Sequence, residues 1–330
     1  MKNNVLIAGD PGDVRRKLTS LLAHDEANSV YCVELLTRPR HHVVTPRCRD
    51  AANSRVFQLA CDDTAGIAGL VAELNPRTII NLSNSPVCID PNAASRGQGP
   101  SVTATSNLLE AARHAWSSGS TQRPSTRQRC YLQVSTMLPV DPEIAIACRN
   151  SNTREGLREI APQPSDAVAG QRLARQWFQY YGLPTINVSV PNIFGPEQNR
   201  DQFFPAIIET LLEKKPLRLS QGRRRWAFVE DIVDAIVHVA RHGQAGEHYR
   251  VECDKGEQSD IEMAQLICDQ LDQLTPCASG SYRDYVQATL SNSMAQYVEP
   301  PMHELGTSLG WQPLNDFHCS LAATVRQYIT

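Results

Sequence analysis

Three groups of residues in this chain have types and an order suited to small-molecule chemistry. Ser135-Thr136, at the end of the run Tyr131-Leu132-Gln133-Val134, offers two hydroxyl donors that can hold a developing oxyanion or orient a hydroxyl group. Asp166 and Glu197 are carboxylates able to serve as a general base, and Arg224 or Arg225 can clamp an anion. Such groups suit elimination, cyclisation or hydrolysis. Each also has an ordinary structural role: Ser135-Thr136 can end a strand, Asp166 can cap the helix that follows, and Arg223-Arg224-Arg225 can form a solvated face.

The elements that must position these groups are legible in the hydrophobic pattern. Val5-Leu6-Ile7-Ala8 is a short apolar run closed by Gly9-Asp10-Pro11-Gly12, and Val14, Leu18, Leu21 and Leu22 then recur at helical spacing. The alternation continues with strands at 30–33, 56–59, 78–82, 131–134 and 185–190, and with helices near 64–74, 102–116 and 172–181. Short buried strands separated by helices predict an α/β fold with a doubly wound parallel sheet. After Pro191-Asn192-Ile193-Phe194-Gly195-Pro196 the pattern changes: a helix at 207–212, a strand at 226–229, and a helix at 232–240 begun by Glu230-Asp231, whose charges suit a helix start. Residues 1–190 read as the sheet domain and 191–330 as a smaller α/β substrate domain, with about 226–245 returning to pack on the first. The polar stretches 119–129 and 141–164 read as surface excursions.

Composition excludes several classes. With 41% hydrophobic residues the chain is globular, and a net charge of −3 without a basic block is not that of a nucleic-acid binder. No apolar run approaches the ~20 residues that span a bilayer, and the N-terminus lacks a signal-peptide apolar region, so a cytoplasmic protein is expected. The ten cysteines contain no C-x-x-C pair, so buried reduced thiols are expected and a metal site is not.

Along nearly its whole length the chain resembles the extended short-chain dehydrogenase/reductases (the NAD-dependent epimerase/dehydratase family), and among them the dTDP-glucose 4,6-dehydratases. The resemblance rests on Gly9-x-x-Gly12, Val33 to Thr37, Leu108 to Arg113, Val134-Ser135-Thr136, Tyr181 to Pro184, Asn192 to Pro196, Trp226 to Asp231, Ser281-Tyr282-Arg283 and Leu309 to Pro313. It implies a Rossmann-type fold and an NAD site. Gly9 and Gly12 would bring the pyrophosphate to the backbone, Glu34 would hold the ribose hydroxyls, and Asp62 would lie beside the adenine. A nucleotide-sugar-like ligand is implied, with Asn192 and Arg224 matching its contacts. A homodimer formed through the helices at 102–116 and 172–181 is implied as well.

Several positions depart from the family pattern. The third glycine of G-x-x-G-x-x-G falls on Arg15, and Asp13 brings a carboxylate toward the pyrophosphate, although Arg15, Arg16 and Lys17 can compensate its charge. The tyrosine and lysine of the redox step fall on Gln163 and Ala167, or on Asp166 and Gly170 in a shifted register. The acid–base pair expected after Ser135-Thr136 is replaced by Met137-Leu138, and the nucleotide-contacting Arg-Pro-Gly-His-Asp segment by residues 290–295. Losing one general acid or base typically lowers a rate by about 10²–10⁴. The expected function is therefore a repurposed non-redox enzyme in which Ser135, Thr136, Asp166 and Gln163 occupy the catalytic positions. The alternatives are a catalytically silent accessory or nucleotide-sensing relative, and an atypical NAD-dependent sugar dehydratase or epimerase using Tyr131, Tyr180 or Tyr181.

Overall fold

Strand β1 (Asn3–Ala8) lies inside an eight-stranded sheet, third from one edge, and its residues from Val5 to Ala8 are apolar on both faces, as an interior strand requires. The structure is a computed structural model and describes residues 2–9, 12–36, 54–84, 100–117, 129–136, 164–198, 202–219, 222–252, 257–277, 280–288 and 302–329. The sheet also contains β2 (Asn28–Leu36), β3 (Arg55–Ala60), β4 (Thr78–Asn84), β5 (Cys130–Thr136), β6 (Thr185–Val190), β11 (His248–Arg250) and β14 (His303–Glu304). Their order is β14-β11-β6-β5-β4-β1-β2-β3, and every pairing is parallel. The chain therefore reverses its winding between β1 and β4, where open α/β sheets form their ligand crevice.

Helices cover both faces. On one lie α1 (Asp13–His24) and α6 (Val229–His242), whose Leu18, Leu22, Ile232 and Ile236 pack on Val5, Ile7, Leu132 and Val188. On the other, α2 (Thr64–Leu74), α3 (Pro100–Ser117) and α4 (Pro164–Tyr181) close over Leu6, Ile79 and Tyr131. A separate core forms beyond the sheet. There α5 (Phe203–Leu212), α7 (Asp260–Leu274) and α9 (Phe317–Ile329) enclose Phe194, Trp226 and Phe228, with Phe194 stacked on Phe204 at 5.2 Å. The short strands β7 (Asn192–Phe194) and β10 (Trp226–Phe228) pair in parallel at its boundary.

Several boundaries differ from the sequence expectation: β2 spans Asn28–Leu36 rather than 30–33, α5 begins at Phe203 rather than at 207, and two further differences bear on the site. Helix α4 begins at Pro164 rather than near residue 172: proline suits a first helical turn, and Gly170 is buried, so this stretch lacks an apolar period. Val229, expected as the end of a strand, opens α6. The first-turn acids of α6 also do more than face its dipole. Asp231 accepts from the backbone amides of Leu314 and Asn315 at 3.0 and 3.2 Å, and Glu230 pairs with Lys17 at 2.9 Å. Among the described residues no helix is long and apolar enough to cross a membrane.

Candidate active site

The groove at the switch point starts from Gly9, whose φ of +145° is open to glycine. A Cβ there would come within 2.9 Å of Leu82 Cβ on β4, so the turn packs directly on the neighbouring strand. Gly12 follows as the N-cap of α1 and, being glycine, adds no side-chain cap to the helix amides. These two features fit a dinucleotide pyrophosphate.

The next residues do not. Asp13 is buried, its Oδ2 has no partner among the described residues, and burial raises its carboxyl above the usual range despite nearby backbone amides and the charges of Arg16 and Lys17. Arg15 turns inward: Nη1 donates to the Gly9 carbonyl at 3.0 Å and lies 3.0 Å from Glu34 Oε1. Gln58 Nε2 donates to the other Glu34 oxygen at 2.7 Å. Both oxygens of the expected ribose acid are thus engaged within the chain, and Glu34 is 8% exposed. Arg16 reaches the Glu197 carbonyl at 2.7 Å and its carboxylate at 3.4 Å, and Lys17 reaches Glu230. The three cations of α1, expected to offset Asp13, are each directed to another carboxylate. Asp62 is exposed in the turn between β3 and α2, next to Asp63, which caps α2.

Ser135 and Thr136 end β5 on the C-terminal edge of the sheet, beside Ser189 and Val190 of β6. Both are buried, and neither hydroxyl has a partner among the described residues. Thr136 lines a small apolar cavity with Val14, Leu82, Val190, Ile193 and Ile232. On β4, Asn81 Nδ2 lies 3.0 Å from Thr105 Oγ1, Tyr131 Oη and Gln133 Oε1, with two protons to share among the three oxygens. Gln171 donates to Ser189 Oγ at 3.1 Å, and Ser189 shares a 2.7 Å hydrogen bond with His248 Nε2. Burial first, then the charges of Arg175 and His303, pushes His248 down to about 4, so its imidazole is neutral near pH 7 and a weak base. The sequence reading missed this pair. Its one signal was the alternation of polar Thr185, Asn187 and Ser189 in a strand expected to be buried.

Asn192 on β7 donates to the Arg225 carbonyl at 3.4 Å. Arg224 on β9 (Arg223–Arg224) lies with Nε 3.0 Å from Oδ1 of the fully buried Asp260. Arg225 is 3.6 Å from Glu257. Asp166 falls within the first turn of α4 rather than before it; its side chain, Gln163, Met137-Leu138 and residues 290–295 lie outside the described residues. The structure thus brings Gly9, Gly12 and Glu34 together and places Ser135-Thr136 on the same sheet edge. Among the described residues no group of three or more His, Cys, Asp or Glu side chains has metal-site geometry.

A parallel sheet with a 3-2-1-4-5-6 core and a glycine turn at the reversal defines the Rossmann class of nucleotide-binding folds. Within it, the chain belongs to the NAD dependent epimerase/dehydratase family, whose profile matches residues 5–251. It is 26% identical to dTDP-glucose 4,6-dehydratase 1 of Escherichia coli (strain K12) across 99% of this chain and 92% of that protein. Among solved structures, dTDP-glucose 4,6-dehydratase DesIV of Streptomyces venezuelae, with NAD bound, superposes with a TM-score of 0.70 at 20% identity over 99% of this chain and 97% of that one. The UDP-glucuronic acid 4-epimerase of Bacillus cereus, in complex with UDP-glucuronic acid and NAD, gives 0.66 at 15% over 99% of each. The α/β Rossmann-type fold is shared with both.

Proposed function

We propose that this chain is a dehydratase-like family member that has left redox dehydration and performs non-redox chemistry, an elimination, cyclisation or hydrolysis, on a nucleotide-sugar-like small molecule. One observation carries the reading: no tyrosine anywhere in the chain is followed four residues later by a lysine, and no lysine occurs between Lys17 and Lys214. The tyrosine–lysine pair that the family's redox step requires therefore has no counterpart in any register. Met137-Leu138 after Ser135-Thr136 supports the loss of the dehydration acid and base as well. The hydroxyls of Ser135 and Thr136, which have no partner among the described residues, support a retained ligand cleft, since a buried hydroxyl without a partner costs about 1–3 kcal/mol and a ligand atom would satisfy it.

The assay is direct. Purified protein incubated with dTDP-glucose and NAD is expected to form no 4-keto-6-deoxy sugar by mass spectrometry; its appearance overturns the reading. A panel of nucleotide sugars is expected to give, without added NAD, a product that differs from its substrate in mass or, for a mass-neutral cyclisation, in chromatographic retention. Binding without any such product favours the second reading, a catalytically silent accessory or nucleotide-sensing relative. We extend the reading to a homodimer through α3 and α4. Their surface carries Tyr180 and Tyr181, 77% and 58% exposed, with the Arg113 guanidinium 5.1 Å from the Tyr181 ring centre. Sedimentation is expected to show twice the chain mass.

A further inference from the structure

Arg15 lies one helical turn before Leu18 and two before Leu22, on the face of α1 that packs on the sheet, and it is 2% exposed. A guanidinium buried this deeply must be paired. Its partners are groups that line the dinucleotide groove: the carbonyl of Gly9, first residue of the glycine turn, and the carboxylate of Glu34 at the end of β2. Gln58, on the adjacent strand β3, completes the enclosure from the far side.

We propose that Arg15 is a built-in occupant of the adenosine-ribose end of this groove, so that the chain does not hold NAD in the manner of its fold. A ribose diol is recognised by donating both hydroxyls to an acid on the second strand. Here the two carboxylate oxygens already receive Arg15 and Gln58, and Glu34 has almost no surface left for a diol to reach. Asp13, buried at the N-terminus of α1 where the pyrophosphate would lie, sets its carboxyl group against the backbone amides of Asp13 and Val14 that would receive the phosphates. One feature thus blocks the ribose and a second occupies the amides that would hold the phosphates. The arrangement is self-consistent: Arg15 neutralises a carboxylate that would otherwise be buried without its ligand, so the fold no longer needs the cofactor to satisfy Glu34.

The test uses the full chain. Purified protein is denatured and released NAD(H) and NADP(H) are quantified by mass spectrometry, and the native protein is titrated with NAD and NADH by calorimetry. Far less than one equivalent released and no saturable binding at millimolar cofactor are expected. Arg15→Gly is expected to bind NAD at least about tenfold more tightly than the parent, the scale of regaining one charge-assisted hydrogen-bonded contact. Stoichiometric NAD in the parent overturns the proposal, and so does a folded Arg15→Gly variant with no gain. Should that variant fail to fold, Arg15→Ala is titrated in its place, and the parent measurement stands alone as decisive. Cofactor content and sugar turnover are read separately: NAD retained without keto-sugar formation would overturn this inference and leave the non-redox function standing.

Discussion

Arg224 Nε lies 3.0 Å from Oδ1 of Asp260, a carboxylate with no solvent exposure at the first position of α7. The pair joins β9 to a helix of the separate C-terminal core, and β9 itself pairs with β12 (Gln258–Ser259), which leads into that helix. An arginine expected to contact a nucleotide-sugar-like ligand is thus held by an internal counter-charge.

Breaking that pair from one side should be costly. Arg224→Ala leaves a buried carboxylate uncompensated, and we expect a loss of about 3–5 kcal/mol in denaturant unfolding. Arg224→Met combined with Asp260→Leu removes both charges and should recover most of it. An unchanged midpoint for the single variant would place Arg224 free in the groove, able to meet a ligand.

His248 gives the fold an acid-side weakness. Its imidazole is depressed from the ordinary 6.5 to about 4, by burial first and then by Arg175 and His303, and it faces Ser189 while His303 is itself 2.8 Å from Glu247. Because the folded value is below the unfolded one, the unfolded chain binds the extra proton as pH falls. Stability of about 3 kcal/mol is fully present above pH 6.5 and is lost progressively down to about 4. Melting temperature measured across that window should fall more steeply for the parent than for His248→Gln, which does not titrate there.

How far the sequence carried this picture depends on whether a signal was local. The strands were readable because parallel strands covered on both faces must be apolar runs, and β1 and β5 are buried along their inner length. The fate of Arg15 carried a signal too: it shares a helical stripe with Leu18 and Leu22. A charge on an apolar stripe must turn inward to a partner, yet the identity of that partner, Glu34, follows only from the pairing of β1 with β2. The Ser189–His248 pair was hidden for a similar reason, since 59 residues and a different strand separate its members. The start of α4 was obscured because Gly170 interrupts the period where the helix packs.

The thiols sort by burial. Burial pushes Cys130 up to about 12; burial and then Asp272 and Asp269 do the same for Cys268. Only the thiolate reacts with alkylating reagents. Peptide mapping after brief iodoacetamide treatment at pH 8 should find both unmodified in native protein and modified in denaturant. Labelling of either in the native state would mean that its core opens on the timescale of the reaction.

Ser135 offers a sharper division between fold and function. Its hydroxyl is buried at the end of β5 without a partner among the described residues, so it adds desolvation cost and no compensating bond to the folded chain. Ser135→Ala should therefore leave stability unchanged or raise it, by up to about 1 kcal/mol. If the hydroxyl is held ready for a ligand, the same variant should lose about 10²–10³ in kcat/KM on whichever nucleotide sugar the parent converts, the scale of removing one oriented donor. A variant that is destabilised instead, with turnover intact, would show that Ser135 serves the fold and that the ligand is met elsewhere.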